Sequence, residues 1–413
     1  MPADLSGTRA MRATYAAFIA TGFSFASWAS RIPQVRDELG LSPAQLGLVL
    51  LAIAAGSLVA LPLAGPLVTR FGSQRMVATM AVVNGSALAI VAVGYLFGVG
   101  PVLVGLFLFG FAQGAWDVAM NVQGALAERW LGRSIMPRFH AGFSLGTVAG
   151  ALVGSAMVAL HVPVTAHLLV VGALVVGLVP YAVRGFLPDS AADEVVVTDG
   201  GSMTPGIPEQ GGAAGAFAAW REPRTLLVGV FVLAFAFAEG TGNDWTSIAL
   251  IDGYTVSPAV GSLGFATFLT AMTLGRWFGP AWLDRWGRVP VLRVLSVVSL
   301  VGVLLFVFGQ TPIVAFAGAV LWGFGISLGF PVGMSAAADE PVMAARRVSV
   351  VASIGYCAFL AGPPLVGLLG DHVTVLRAVT SVAVLLVVGF ALAGATKPLR
   401  PHEPDQDRAT VVR

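Results

Sequence analysis

The chain has 413 residues, of which 57% are hydrophobic and 11% are Asp, Glu, Lys or Arg. This is about half the charged content of a typical globular protein, so the composition predicts a polytopic membrane protein. The formal charge of +2 is not gathered on a basic face, which argues against nucleic acid binding. The lone Cys357 excludes a disulfide or a cysteine-based metal site within one chain, and the five His lack metal-ligand spacing, so no cofactor is expected.

Twelve apolar stretches are long enough to cross the ~30 Å hydrocarbon core of a bilayer as helices. They lie near residues 11–30, 44–68, 76–97, 101–126, 139–160, 164–186, 224–245, 259–283, 289–309, 312–337, 348–370 and 373–395. The first is similar to a secretory signal peptide, but the spans that follow it indicate a retained first helix. The predicted fold class is an all-α polytopic membrane protein with twelve transmembrane helices.

The positions of the basic residues predict the orientation. Of the 23 Lys and Arg residues, Arg276 falls inside a span, and Arg31, Arg36 and Arg377 fall in loops on one side of the membrane. All the others lie at the termini or in loops on the termini's side, so the positive-inside rule predicts that both termini are cytoplasmic. We expect a multi-pass protein of the bacterial cytoplasmic (inner) membrane that is in contact with the lipid bilayer and works as a monomer.

The spans fall into two related halves. Residues 187–222 are polar and rich in Gly, Pro and Ser, which predicts a flexible cytoplasmic linker. The expected domains are a cytoplasmic N-terminus (1–10), two six-helix bundles (11–186 and 223–396) and a cytoplasmic tail (397–413). The sequence LSPAQLG at Leu41 recurs as VSPAVGS at Val256, an offset of 215 residues that also places Gly72 on Gly287. Such duplicated halves are the architecture of many secondary transporters.

Asp117 lies in span four, within an apolar run from Pro101 to Met120. A charged side chain at the bilayer centre costs at least ~2.5 kcal/mol, so such a residue usually faces a bundle interior or a water-filled path. Asn121 lies one helical turn further along the same face. Two interpretations remain open for Asp117, namely a carboxylate that carries protons or one that holds helices together.

Span five begins near His140 and carries a glycine at every fourth position. The ridge predicts close packing against another helix, and a sliding gate between the halves is an alternative role. His140 is either an interfacial residue or a proton carrier at the depth of Asp117. The four glycines are Gly142, Gly146, Gly150 and Gly154.

Spans seven and eight contain the remaining polar candidates. The run Glu239-Gly-Thr-Gly-Asn-Asp244 mixes helix breakers with carboxylates and predicts an interrupted helix at a binding site. Trp245 is expected either to stack on a ring of the solute or to anchor the helix at the membrane interface. Arg276 is expected either to pair with Asp284 on the same helix face or to face the central cavity beside the span-four carboxylate.

Span eleven contains Gly362-Pro363-Pro364. Proline leaves backbone carbonyls without a helical partner, which membranes tolerate only where protein or a cavity satisfies them. This triplet therefore predicts a kink that lines the transport pathway.

Two loops resemble the signature of the major facilitator superfamily, in which a Gly is followed four residues later by an acid and then by Arg and Gly-Arg. The copy after span eight matches from Asp284 through Arg288, whereas the copy after span two has Thr69 in place of the acid. The resemblance implies loops that latch the cytoplasmic side until the halves rock apart. The predicted gate residues are Gly65, Arg70, Gly72, Asp284, Arg285, Gly287 and Arg288.

Other segments make the resemblance specific to one group of the superfamily. Examples are DVAMNVQG in span four, EGTGNDW in span seven and GYCAFLAGPPLVG in span eleven, which look like bacterial facilitators related to fucose permease. In fucose permease an acid on the fourth span serves proton-coupled sugar uptake, and Asp117 is the matching position. The second acid of that family, on span one, is absent here, which argues against fucose itself as the solute.

The sequence thus predicts a secondary transporter and not an enzyme. It is expected to move a small polar, sugar-like solute by alternating access, coupled to protons through Asp117 with Glu239 assisting. No GxxxxGK[ST] loop is present, so ATP is not expected as a direct energy source. Two alternatives remain open: a proton-driven exporter of an amphiphilic compound or drug, and a membrane receptor or scaffold that does not transport.

Overall fold

The structure, a computed structural model, describes residues 3–131, 135–189, 219–340 and 343–399. Most of the predicted linker (190–218) and of the predicted tail (400–413) lies outside the described residues. The helices of the first half are α1 (Ala3–Ala29), α2 (Ile32–Leu39), α3 (Pro43–Phe71), α4 (Ser73–Gly94), α5 (Val99–Leu131), α6 (Met136–Ala159) and α7 (Val164–Ala182). Those of the second half are α8 (Pro223–Tyr254), α9 (Pro258–Trp286), α10 (Arg288–Phe308), α11 (Pro312–Ile326), α12 (Gly329–Ala337), α13 (Ala344–Val373), α14 (Val375–Ala378) and α15 (Thr380–Leu392).

The twelve-span prediction is confirmed. Among the described residues, 11 helical segments are long and apolar enough to cross a membrane, with α11 and α12 forming one of them and Val375–Thr396 another. The twelfth, α1, has 27 residues and packs along α6 within the first bundle. We call the end that carries the start of α1 the termini end, and the end that carries α2 the opposite end.

The internal repeat is visible in the local structure. Ser42 caps α3 by accepting a hydrogen bond from the Gln45 amide (3.3 Å), and Ser257, at the offset of 215, caps α9 in the same way. Each of these helices ends at a glycine with a positive φ, 83° at Gly72 and 79° at Gly287. Only glycine adopts this conformation without strain, so the two halves share the same turn at the same place.

The glycines of span five lie along α1. A Cβ atom at Gly146 would overlap the carbonyl oxygen of Ile19, and one at Gly150 would overlap that of Phe23. Gly142 faces Tyr15 and Gly154 faces Ser30 in the same groove. The ridge thus brings two helix backbones of one half together, and a role as a sliding gate between the halves stays a prediction.

The expected interruption of span seven is wrong. Helix α8 runs without a break through Glu239–Asp244, because Gly240 and Gly242 make room for side chains of neighbouring helices and do not end the helix. The break falls instead in span ten, at Ser327 and Leu328 between α11 and α12. The sequence contains its cause, since Pro331 has no N–H to donate to the carbonyl of Ser327 four residues earlier.

The halves meet at the opposite end. The cross-half packing involves α3 against α13 and α6 against α9. A Cβ at Gly47 of α3 would overlap the carbonyl oxygen of Pro363 in α13, and one at Gly367 of α13 would overlap that of Pro43. Because the backbones touch there, the cleft between the halves is closed at the opposite end.

Candidate functional site: a cleft between the two halves

Asp117 faces open space although its helix is interior. Its neighbours Ala115, Trp116 and Ala119 have side chains with 0% exposure, whereas the Asp117 side chain is exposed. The Nδ2 atom of Asn121 donates to Asp117 Oδ1 at 3.2 Å, and no Lys or Arg among the described residues forms an ion pair with this carboxylate. The geometry therefore presents a solvent-accessible carboxylate midway along a membrane-spanning helix, held by one amide.

Arg276 binds neither Asp284 nor Asp117. Its Nη2 atom donates to both carboxylate oxygens of Glu239, at 2.8 and 2.9 Å, and its Nε atom donates to the carbonyl of Ser327 at 3.3 Å. The prediction of a pair with Asp284 is thus wrong. One guanidinium instead ties α8 and α9 to the carbonyl that the break in span ten leaves free.

Groups of both halves approach one another across the cleft. His140, exposed at the start of α6, lies within electrostatic range of Arg276 on α9. Tyr356 on α13 lies within electrostatic range of Asp117 on α5. Arg276 forms its ion pair with Glu239 of its own half and not with Asp117. The cleft consequently has polar groups on both walls.

A pocket lies at the closed end of the cleft, with a cavity volume of about 170 Å³. The first half contributes apolar residues of α3, the side chain of Ser57 and the ring of Phe25, and the second half contributes residues of α8 and α13. Asp244 lines this pocket. Three lining residues that sequence reasoning missed are Asn243, Tyr356 and Phe359.

Trp245 lies elsewhere. Its side chain has 0% exposure, so an anchoring role at the membrane interface is wrong, and the residue does not line the pocket. Its Nε1 atom has no hydrogen-bond partner among the described residues. Trp245 therefore fills the apolar core next to the pocket.

Span eleven contributes to the same region. Helix α13 is continuous through Pro363 and Pro364, and the kink expected at these residues stays a prediction. Pro363 lines the pocket and its carbonyl faces Gly47 of α3, while Gly362 faces the ring of Phe237. The triplet thus lies where the halves touch.

Polar contacts close the opposite end. Arg36 forms a two-pronged ion pair with Asp252 of the other half, with 3.0 Å between Nη2 and Oδ1. Asp371 accepts hydrogen bonds from the Ser42 hydroxyl (3.1 Å) and the Ala44 amide (3.2 Å), at the N-terminus of α3. Within the described ranges, the hydrogen bonds that join the two halves lie at this end.

The two signature loops at the termini end are each held by a carboxylate from another element. Asp189 accepts hydrogen bonds from the Ser73 amide (2.9 Å) and hydroxyl (2.6 Å), and it lies so close to Gly72 that a Cβ would not fit. Asp339 binds Arg288 at 2.7 Å. Asp284 itself is exposed and forms no ion pair within the described ranges, so its role as a latch stays a prediction.

The other gate residues are at the surface of the same end. Arg70 lies over the ring of Phe71 and Arg285 over that of Trp286, each 5.3 Å from the ring centroid. Gly65 has open space around it, and Gly287 serves the turn described above.

An ion pair between Arg347 of α13 and Glu222 holds the start of α8. Arg347 donates to both carboxylate oxygens of Glu222, at 2.6 and 3.1 Å, and a third hydrogen bond reaches Glu340. The bonds from Arg347 hold the pKa of the Glu222 carboxyl below its ordinary value.

Comparison with known proteins agrees with this architecture. The family described as Major Facilitator Superfamily matches residues 14–249 and 230–412. The chain belongs to the major facilitator superfamily. An uncharacterized transporter of Sinorhizobium fredii is 31% identical over 364 residues, 88% of this chain and 92% of the relative. An uncharacterized MFS-type transporter of Yersinia pestis is also 31% identical, over 92% of this chain and 94% of the relative.

Solved structures of this superfamily share the fold. The nucleoside transporter NupG superposes with a TM-score of 0.72 at 15% identity, over 96% of this chain and 99% of that one. The E. coli fucose:proton symporter FucP superposes with a TM-score of 0.60 at 14% identity, over 93% and 98% of the two chains. This facilitator is therefore a multi-pass membrane transporter and not an enzyme, and the resemblance to fucose permease seen in the sequence is confirmed at the level of fold.

Proposed function

We propose that this facilitator carries a small polar solute, sugar-like in size and polarity, across the bacterial cytoplasmic membrane by alternating access, and that Asp117 couples the movement to protons. The observation that carries the proposal is an accessible carboxylate in mid-membrane, without a cationic partner in the described part of the chain, in a cleft that is closed at one end. Such a carboxylate can bind a proton in one state and release it in another, because desolvation and solvation change as the halves move.

In this proposal Glu239 does not carry protons, although the sequence analysis gave it an assisting role in proton coupling. Its charge is already compensated by Arg276, so protonation of Glu239 would leave the half-buried guanidinium uncompensated. Asp117 has no such constraint. In the proposed cycle Asp117 therefore carries the proton, and the pair of Glu239 with Arg276 keeps the second half intact as it moves.

The distribution of arginines supports placing the termini end in the cytoplasm. The cleft is then closed to the outside, which corresponds to an inward-facing state. Rocking of the halves about the pocket would expose the same groups to the other side, as in other transporters with duplicated halves.

The test begins with purified full-length protein and a thermal-shift screen against sugars, sugar acids, nucleosides and amino acids, since a ligand of the folded state stabilises it by mass action. Compounds that bind are then followed in proteoliposomes with an imposed pH gradient. Asp117→Asn should abolish accumulation driven by the gradient while leaving exchange or binding partly intact. Glu38→Gln, an exposed carboxylate replaced outside the cleft, is the matched control.

Accumulation in Asp117→Asn that retains the wild-type pH dependence would remove Asp117 from the coupling. Binding without any flux in the wild-type protein would instead favour a receptor or scaffold. The two results are separable because the first requires flux and the second its absence.

A further inference from the structure

The pocket at the closed end of the cleft has unused hydrogen-bond acceptors. The carboxylate of Asp244 makes no hydrogen bond or ion pair with any described residue, and the Oδ1 atom of Asn243 is buried without a partner. The Ser57 hydroxyl donates its proton to the carbonyl of Gly110 at 2.9 Å, which leaves its oxygen as an acceptor. Buried polar atoms are usually satisfied, so Asn243 Oδ1 points to a ligand that brings donors, and the half-buried oxygens of Asp244 and Ser57 beside it can accept from the same ligand.

No Lys, Arg or His belongs to the residues that line this pocket. The Arg276 guanidinium in the cleft is occupied by Glu239 and Ser327. A carboxylated or phosphorylated solute would thus meet the charge of Asp244 without a compensating group. Juxtaposed like charges at a binding site repel one another, so the pocket discriminates against anions.

The walls of the pocket are aromatic on both sides. Phe25 belongs to the first half, and Tyr356 and Phe359 belong to the second, so the rings enclose a solute only while the two halves are together. Aromatic faces pack against the apolar face of a ring. The cavity of about 170 Å³ is smaller than the ~300 to 1,000 Å³ of sites for drug-sized ligands, which favours a solute with a single ring.

We propose that this pocket binds a single-ring polyol that is uncharged or carries an amine, with the Asp244 carboxylate as its principal hydrogen-bond acceptor, and that it rejects the carboxylated analogue of the same ring. The inference rests on the proposed transport function and names the class of solute that the cleft admits. It also gives the two acids different roles: Asp244 binds the solute, and Asp117 carries the proton.

The experiment uses three series of monosaccharides built on glucose, galactose and mannose, each as the neutral sugar, the 2-amino sugar and the uronic acid. Binding to the purified full-length protein is measured by thermal shift and calorimetry at one pH. In at least one series we expect the neutral and amino sugars to bind at least about tenfold more tightly than the uronic acid. Phosphate and acetate alone should give no shift.

Asp244→Asn keeps the shape of the side chain and removes its charge. It should weaken binding of the neutral sugar about tenfold, since hydrogen bonds to a charged acceptor are stronger than those to a neutral amide. It should also reduce the preference for the amino sugar over the uronic acid, a change that general destabilisation would not produce. Glu38→Gln is the control for a carboxylate outside the pocket.

Three results would overturn the inference: uronic acids that bind as well as the neutral sugars, a charge preference unchanged in Asp244→Asn, or no binding in any of the three series. The wild-type series gives a decision even if the variant does not fold. Charge-selective binding without uptake in proteoliposomes would instead remove the proposed transport and leave the ligand class in place.

Discussion

Breaking the ion pair between Arg36 and Asp252 should shift the protein toward states that are open at the opposite end. The two side chains are 12% and 40% exposed, so solvent screens the pair and its contribution is near the upper value for surface pairs, about 1 kcal/mol. The hydrogen bonds of Asp371 to the start of α3 add a contribution of similar size. Loss of one link should therefore change the ratio of open to closed molecules about fivefold, and loss of both about thirtyfold.

The assay measures a distance between spin labels at Glu38 and His372, which are exposed at the opposite end on different halves. Asp252→Asn should increase the population with long distances, and the exchange Arg36→Asp with Asp252→Arg should restore the short one. A double-mutant cycle over Arg36 and Asp252 isolates their coupling from other effects of either change. A distance distribution that is the same in the single variants and the wild type would refute the reasoning.

Three further predictions concern folding and stability. Arg276→Gln should lower the melting temperature by leaving Glu239 without a partner, at a cost of about 2 kcal/mol for a pair of intermediate burial, and Glu239→Gln in the same chain should recover most of it. Gly146→Val should reduce the folded yield, because the side chain meets backbone that cannot yield. Since the pKa of Glu222 is lowered in the folded state, its pair with Arg347 should stabilise fully above the ordinary value of 4.5 and lose its effect as pH falls through the folded pKa.

Each of these predictions has a control that the chain supplies. Gly177→Ala, at a glycine with open space around it, should leave the folded yield unchanged, and equal losses in both glycine variants would contradict the packing argument. Asp284→Asn should add to the effect of Arg276→Gln independently, whereas coupling between the two would contradict the observed pairing. The pH dependence of unfolding should flatten in Glu222→Gln between the folded and ordinary pKa values.

Much of the fold follows from the sequence because the bilayer imposes simple rules. A helix must be long and apolar to cross, so hydropathy locates the spans. The offset of 215 residues is preserved as the caps at Ser42 and Ser257 and the turns at Gly72 and Gly287, because a cap and a positive φ each require a particular residue type.

The sequence did not predict that Arg276 pairs with Glu239, and the reason is geometric. Counting residues along a helix gives depth in the membrane, and it placed Arg276 and Asp117 at a similar level. It does not give the direction in which a side chain points around the helix axis, and that direction sends Arg276 toward Glu239. The break in span ten has a cause in the sequence, because Pro331 leaves the carbonyl of Ser327 without a helical donor. Arg276 donates a hydrogen bond to this carbonyl.

The glycines of span seven have two possible interpretations in the sequence. Gly240 and Gly242 in a membrane helix indicate either an interruption or a close approach, and both meanings share one sequence pattern. The partner that decides between them is distant in the chain, since a Cβ at Gly242 would overlap the ring of Phe268 and one at Gly240 would press on Phe359. Pocket residues such as Phe25 and Tyr356 could not be predicted for the same reason. An aromatic residue in an apolar span has no local sequence feature that indicates a cavity beside it.

The arrangement of bonds between the halves has a consequence for how a solute drives the cycle. The polar links at the opposite end amount to a few kcal/mol, and the pocket immediately beneath them is lined by aromatic rings of both halves. A ligand shifts a two-state equilibrium only by the difference between its affinities for the two states. A solute that fills the space between Phe25 and Tyr356 contacts both halves at the point where they separate, so its binding energy acts directly on the closure that Arg36 and Asp371 maintain. A difference of about 2 kcal/mol in solute binding between the two states is then enough to compete with those links.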